Sequence, residues 1–287
     1  MEAMLSRRRF FQTSSLAAAL GTVSHAKKLG TIGVQLYTVR NILPEKPGPT
    51  LSALDGIGYR EAEATVSGLD KIMPSLKATR LKPVSLHLDS QVILKGQDDE
   101  LVRSLNNARS YGFKYAVFPY LPPADRGGLD AIKRLAEKLN RTAGKCHAAG
   151  LRFCYHNHAF EFEPVEGTTG FQVLVDNTDK KLVGLELDVF WVSVAGHDPV
   201  EILQKLTGRV PLVHLKDKAS GTPVMYKESV PRTAFLEVGH GVLDWPKVLR
   251  AAEAADVEHY FVEQDQTPGD PLESLRQSFG YLSKLQF

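Results

Sequence analysis

Short apolar, β-branched runs alternate with amphipathic stretches along almost the whole chain. The runs predict strands at Ile32–Tyr37, Glu61–Thr65, Lys82–His87, Tyr115–Pro119, Arg152–Asn157, Leu182–Asp188, Val210–Leu215 and His259–Gln264. Helical patterns fall between them. They are clearest at Asp98–Tyr111, Leu129–Ala149, Pro199–Leu206, Trp245–Ala255 and Pro271–Leu285, and weaker at Leu51–Ile57, Leu69–Thr79 and Gly170–Val175. Leu135, Leu139 and Ala143 recur at helical spacing, as do Leu272, Leu275, Phe279 and Leu282. Gly58, Gly112 and Gly150 each follow a helical pattern and precede a strand, where a glycine stop belongs.

Eight strands alternating with eight helices in 287 residues predict a single-domain α/β protein, a (β/α)8 TIM barrel. The competing architecture is an open doubly wound sheet, but no GxGxxG follows the first strand. The longest connection, Lys216 to Asp244, is rich in Gly, Pro, Ser and Thr, and is expected to cross the barrel mouth.

The first residues change the picture. Ser6-Arg7-Arg8-Arg9-Phe10-Phe11, a mild apolar run to Val23 and then Ser24-His25-Ala26 have the order of a twin-arginine export signal. We therefore expect residues 1–26 to be removable, residues 27–287 to form the barrel, and the mature protein to be periplasmic. The apolar run is too short to span a bilayer, so no stable membrane anchor is expected. The whole chain has 35 basic and 33 acidic residues. Residues 1–26 hold Arg7, Arg8, Arg9 and Glu2, which leaves 32 of each sign in the mature chain. A net charge of zero argues against a nucleic-acid partner. The two cysteines, Cys146 and Cys154, fall in a helix and a strand and read as buried thiols without zinc-type spacing.

In such a barrel the chemistry sits at the C-terminal strand ends. Those ends carry Gln35 and Tyr37, Glu63, His87 and Asp89, His156, Asn157 and His158, Glu186 and Asp188, His214, Lys216 and Asp217, and Glu263 and Asp265. Alternation puts Glu186 with Asp188, His156 with His158, and Glu263 with Asp265 on shared faces. Inward carboxylates and imidazoles must be paired or must hold an ion. Asp188, His214 and Glu263, at three successive strand ends, suit one divalent metal such as Mn²⁺, Zn²⁺, Co²⁺ or Mg²⁺. A strand-end Asp can equally cap the next helix, and Asp244 reads that way. Glu186 reads as structural.

The texts LELDVFWVSVAGHDP, VPLVHLKD, EVGHGVLDWP and YFVEQDQ resemble the xylose-isomerase-like (AP endonuclease 2) TIM-barrel superfamily, in its sugar phosphate isomerase/epimerase branch. The resemblance implies one metal held by Glu, Asp, His and Glu from strands five to eight. Asp188, His214 and Glu263 match three of these. His156, in His156-Asn157-His158, stands where the family places the fifth-strand Glu. Two readings stay open: His156 is the fourth ligand, or Glu161 folds back to supply the carboxylate. The resemblance also implies proton abstraction next to a ketone, followed by elimination or reprotonation on a 3-keto-glycoside or inosose-like sugar. With the usual second Glu missing, elimination is favoured over two-base epimerisation. His158, Glu161, Glu263 and His87 are the candidate acid–base groups. Gln35, Lys216, Trp191 and Glu237 are the candidate substrate contacts, although Lys216 is also expected to pair with Asp217. An epimerase and an exported barrel that binds sugar without turnover are the alternatives, an abasic-site endonuclease is disfavoured, and homo-oligomerisation is left open.

Overall fold

The computed structural model describes residues 27–287, so the expected export signal lies outside the described residues. Eight parallel strands close into a barrel: β1 (Gly33–Gln35), β2 (Glu61–Thr65), β3 (Lys82–His87), β4 (Tyr115–Phe118), β5 (Arg152–His156), β6 (Val183–Asp188), β7 (Leu212–Leu215) and β8 (His259–Val262). Each strand pairs with its sequence neighbours, and β1 pairs with both β2 and β8 to complete the ring. The helices between them are α1 (Pro47–Ile57), α2 (Leu69–Lys77), α3 (Ser90–Leu94), α4 (Asp98–Tyr111), α5 (Gly128–Ala148), α6 (Gly170–Asn177), α7 (Val189–Val194), α8 (Pro199–Lys205), α9 (Trp245–Ala254) and α10 (Pro271–Leu282). None is long and apolar enough to cross a membrane.

Two separate apolar regions follow from strand alternation. The outer face of the barrel packs against the helices, with Phe153, Tyr155, Leu185, Leu187, Val213 and Leu215 meeting residues such as Leu135, Leu139 and Ala143 of α5. Inside the barrel, Val84, Tyr115, Val117, Cys154, Leu212 and Phe261 form their own small plug. Cys154, Leu212 and Phe261 lie two residues before His156, His214 and Glu263. They therefore share the inward face one layer lower. Space for the plug comes from a missing side chain: a Cβ on Gly33 would lie 2.5 Å from the Phe261 ring. Cys146 and Cys154 are free and buried.

The sequence-based boundaries need three corrections. The first strand stops at Gln35, because the Gln35 side chain accepts from the Tyr37 N–H at 3.0 Å and caps a 3-10 turn over Leu36–Val39. The first helix starts earlier than expected, at Lys46-Pro47, with proline in its first turn. Helices α3 and α7 are not among the predicted helical patterns. They form because Asp89 and Asp188 accept from the backbone N–H groups of Gln91 and Trp191.

The Lys216–Asp244 excursion covers the mouth as expected. Asp217–Lys218 pairs antiparallel with Phe235–Leu236, and the loop between them brings Glu228, Val230 and Arg232 over the barrel. One carboxylate fastens its base. Asp217 accepts from the backbone N–H groups of Lys218, Gly239, Gly241 and Leu243, at 2.8 to 3.2 Å, and from the Trp245 indole N–H at 2.7 Å. Only glycine fits at 241, where a Cβ would lie 2.2 Å from Asp217 Oδ1.

Candidate metal centre

Above the apolar plug the inward face turns wholly polar. The strand ends bring Gln35, Glu63, His87, His156, Glu186, Asp188, His214, Lys216 and Glu263 together, all buried. His87, His156, Lys216 and Glu263 of this layer reach the lining of a cavity of about 750 Å³, whose wall includes Tyr37, Arg40, Tyr120, His158, Trp191, Arg232, Phe235 and Asp265, and the other polar residues lie packed beneath it.

The polar layer has two tiers that share His214. In the upper tier, ligand-type atoms of Asp188, His214 and Glu263 lie within 4.8 Å of one another. Glu263 Oε2 is 2.9 Å from His214 Nδ1, and Asp188 Oδ2 is 3.9 Å from it. His156 Nε2 stands 3.7 Å from Asp188 Oδ2. In the lower tier, Glu186 Oε2 lies 2.8 Å from His87 Nε2, 3.1 Å from His156 Nδ1 and 3.4 Å from His214 Nε2. Glu63 Oε2 accepts from His214 Nε2 at 2.5 Å and from Gln35 Nε2 at 2.8 Å. So each of the imidazoles His156 and His214 turns one nitrogen up to the upper tier and gives the other to a buried carboxylate. Metal-bound histidines are held in this way by the carboxylate behind them.

Electrostatics separates the imidazoles. Burial, reinforced by the cations His214 and His158 would become and by Lys216, holds His156 well below its ordinary value, so it is neutral. Burial and Lys216 do the same for His158. For His87, burial works against the charge, but Glu63 and Glu186 outweigh it and raise its pKa to about 10. His214 is raised for the same reason, with Glu186, Glu63 and Glu263 overcoming burial. Burial raises Asp188 to about 6 against the pull of Lys216.

A divalent cation fits these donors. The upper tier offers hard carboxylate oxygens and a neutral imidazole nitrogen, a set that suits the borderline divalent ions. Asp188 Oδ1 caps α7, and Asp188 Oδ2 faces the Lys216 ammonium at 2.7 Å. Glu63 Oε1 and Glu186 Oε1 are buried without a partner. Buried anionic oxygens without donors are what a cation would relieve.

The expected site residues do not all arrive. His156, Asp188, His214 and Glu263 come together, as do His87 and Lys216, and His158 and Trp191 stand on the cavity wall. Glu161 does not. It follows β5 on the outer side, where Oε1 accepts from the Tyr155 hydroxyl at 2.7 Å and Oε2 from the His158 backbone N–H at 2.9 Å. Tyr155 and His156 are adjacent in an extended strand and point to opposite faces. A carboxylate held by Tyr155 is therefore on the wrong side of the sheet. Glu237 is also displaced: it accepts from Ser274 Oγ of α10 at 2.6 Å and lines no part of the cavity. Gln35 is wholly buried beneath the cavity, holding Glu63. Lys216 does not pair with Asp217. Its ammonium lies 2.6 Å from Glu263 Oε2, 2.7 Å from Asp188 Oδ2 and 2.9 Å from Asp265 Oδ2. Glu186, read as structural, is the hub of the lower tier. Sequence reasoning also passed over Arg126, which pairs with Glu228 of the excursion and lies 3.4 Å over the Phe160 ring.

Known proteins resemble the chain in sequence and in fold. A family model described as "Xylose isomerase-like TIM barrel" matches residues 25–285. An inosose dehydratase of Clostridium perfringens is 30% identical over 151 residues, covering 49% of this chain and 50% of that protein. The chain thus spans about half the length of the curated relatives it matches. Among solved structures, a sugar phosphate isomerase/epimerase from Parabacteroides distasonis superposes with a TM-score of 0.73 at 23% identity, over 93% of this chain and 97% of its own. The IOLI protein, solved with a bound zinc atom, superposes with a TM-score of 0.68 at 16% identity, over 86% of this chain and 95% of its own.

Proposed function

Because the chain belongs to the xylose isomerase-like TIM barrel family, we propose that it is an exported, metal-dependent enzyme that eliminates a leaving group from a ketone-bearing sugar or cyclic polyol. His156, Asp188, His214 and Glu263 would hold the ion, with Glu186 and Glu63 fixing the two imidazoles from behind. A divalent ion held there would supply Lewis-acid polarisation of a ketone oxygen and so make the adjacent C–H more acidic. The observation that carries the reading is the convergence of Asp188, His214 and Glu263 within 4.8 Å of one another, with His156 Nε2 3.7 Å from Asp188 and carboxylates behind both histidines.

His158 is the base. It lines the cavity, burial keeps it neutral, and its Nδ1 makes no hydrogen bond. The Trp191 and Tyr120 rings, 5.3 and 5.0 Å away centre to centre, fix its plane. Glu263 is a poor second base, because Lys216 and His214 overcome its burial and hold its pKa low. Two-base epimerisation needs groups of comparable basicity on opposite faces, and Glu161 is outside the site. Elimination needs less. His158 takes the α-proton, the C–H electron pair becomes the new C=C bond as the β C–O bond breaks, and the imidazolium returns the proton to the departing oxygen. The substrate class rests on the name of the inosose dehydratase relative, and export on Arg7–Arg9 and the small-residue exit at Ser24–Ala26.

The test is metal content together with turnover. Purified residues 27–287 loaded with Mn²⁺, Zn²⁺ or Co²⁺ should convert a keto sugar to an unsaturated ketone, and chelation should abolish this. Asp188→Ala should lose the bound ion, and a variant that keeps a full equivalent would remove Asp188 from the centre.

A further inference from the structure

The upper tier already contains a cation. Lys216 Nζ sits within 2.9 Å of three carboxylate oxygens, two of which, Asp188 Oδ2 and Glu263 Oε2, belong to the proposed ligand set. The side chain is 2% exposed, and it reaches this place from the end of β7, one residue past Leu215. An ammonium 2.6 and 2.7 Å from these two oxygens competes with a divalent ion for their negative charge. The two cations would repel each other across shared oxygens in a buried setting, where like charges are least tolerated.

We propose that Lys216 is a tethered counter-ion of the metal centre: it neutralises Asp188 and Glu263 when no metal is bound, and metal loading displaces it. The inference rests on the metal reading above and deepens it. The third carboxylate supplies the other end of the movement. Asp265 is the most open of the three partners, with 21% of its side chain exposed, and it lines the cavity. It can keep the ammonium after Asp188 and Glu263 have let go. Charge accounting supports this. Asp188, Glu263 and Asp265 carry three negative charges when ionised, so a divalent ion plus the Lys216 ammonium makes the group neutral, whereas the ammonium alone leaves it short. The displaced ammonium would also face Trp191, whose ring centre is 6.0 Å from Nζ, and the cavity where a substrate oxygen develops charge. Metal loading and delivery of a second cation to the substrate thus become one event.

The proposal sets the direction of a substitution that a merely supportive lysine would reverse. Lys216→Met removes the competitor, so Mn²⁺ or Zn²⁺, measured by chelator competition, should bind at least 10-fold more tightly than to the wild-type chain. The metal-free variant should melt lower than metal-free wild type, and the difference should close when metal is added. A second measurement avoids any folding problem in the variant. In the wild-type protein, amine labelling mapped by mass spectrometry should find Lys216 protected without metal and several-fold more reactive with Mn²⁺ bound. Unchanged or weaker metal binding by Lys216→Met, or equal labelling with and without metal, overturns the tethered counter-ion while leaving the metal centre intact. If neither protein binds metal at all, the centre falls as well.

Discussion

Glu161→Gln tests which side of β5 carries the chemistry. The carboxyl is completely buried, and burial raises its pKa to about 7 from an ordinary 4.5, against the hydrogen bonds from Tyr155 and the His158 backbone N–H. That gap corresponds to roughly 3 kcal/mol between the protonated and ionised forms. The folded chain holds this proton more tightly than the unfolded chain does. Stability is therefore intact below about pH 4.5 and falls as pH rises toward 7, by roughly 3 kcal/mol in total. Glutamine cannot ionise, so the variant should lose this slope. The wild-type urea unfolding free energy minus that of the variant should decline between pH 5 and 8, because groups such as Asp188 and His87 titrate in both proteins and cancel. Glutamine has only one carbonyl oxygen to serve two donors, which costs about 1 kcal/mol at all pH values. The two proteins should therefore be closest, or the variant ahead, at pH 8. Metal content and turnover should stay within a few-fold of wild type. A loss of the bound ion, or a 100-fold fall in kcat, would mean that Glu161 reaches the cavity after all and that the outward placement is wrong.

His158→Gln should lower kcat by about 10²–10⁴-fold with little change in metal content, the usual cost of removing a general base; kinetics paired with metal analysis separates it from a ligand. Asp217→Ala should destabilise the fold by roughly 3–5 kcal/mol, because it strands four backbone N–H groups and an indole N–H at the base of the mouth excursion. Denaturant unfolding checks this, and a loss under 1 kcal/mol would show that the excursion re-satisfies itself.

How much of this was legible before the structure follows from what each residue's signal consists of. The barrel was readable because strand alternation and helical spacing both repeat through the chain, and all eight strands fall where the apolar runs predict. Helix α7 was not. Its sequence, VFWVSV, is apolar and β-branched like a strand, and only the Asp188 cap turns it helical. The convergence of His156, Asp188, His214 and Glu263 was readable from strand order and parity. Parity also held information that went unused. Lys216 and Asp217 are neighbours in extended chain and so face opposite ways, which already opposes their pairing. Glu186 shares the inward face of Asp188, and that alone places it under the centre. Glu161 and Glu237 could not be placed by any such rule, because both follow the strand period into loops whose course depends on Tyr155 and Ser274. The Arg126–Glu228 pair joins residues 102 positions apart and has no local signature.

The apolar plug beneath the polar layer has a consequence for bookkeeping of hydrogen isotopes. Val84, Val117, Cys154, Leu212 and Phe261 put apolar side chains between the lower end of the barrel and the buried carboxylates, and the Tyr115 hydroxyl beside them is tied to Glu258 at 2.8 Å. Among the described residues, the open cavity at the mouth is the route such a plug leaves for traffic of hydrogen between solvent and these groups. A substrate lying across that mouth, with the Arg126–Glu228 pair beside it, would cover that route. Under the proposed elimination, hydrogen lifted from carbon would then stay in the enclosure until the product leaves, and a label placed on that carbon would be carried into the departing group instead of being washed into the water.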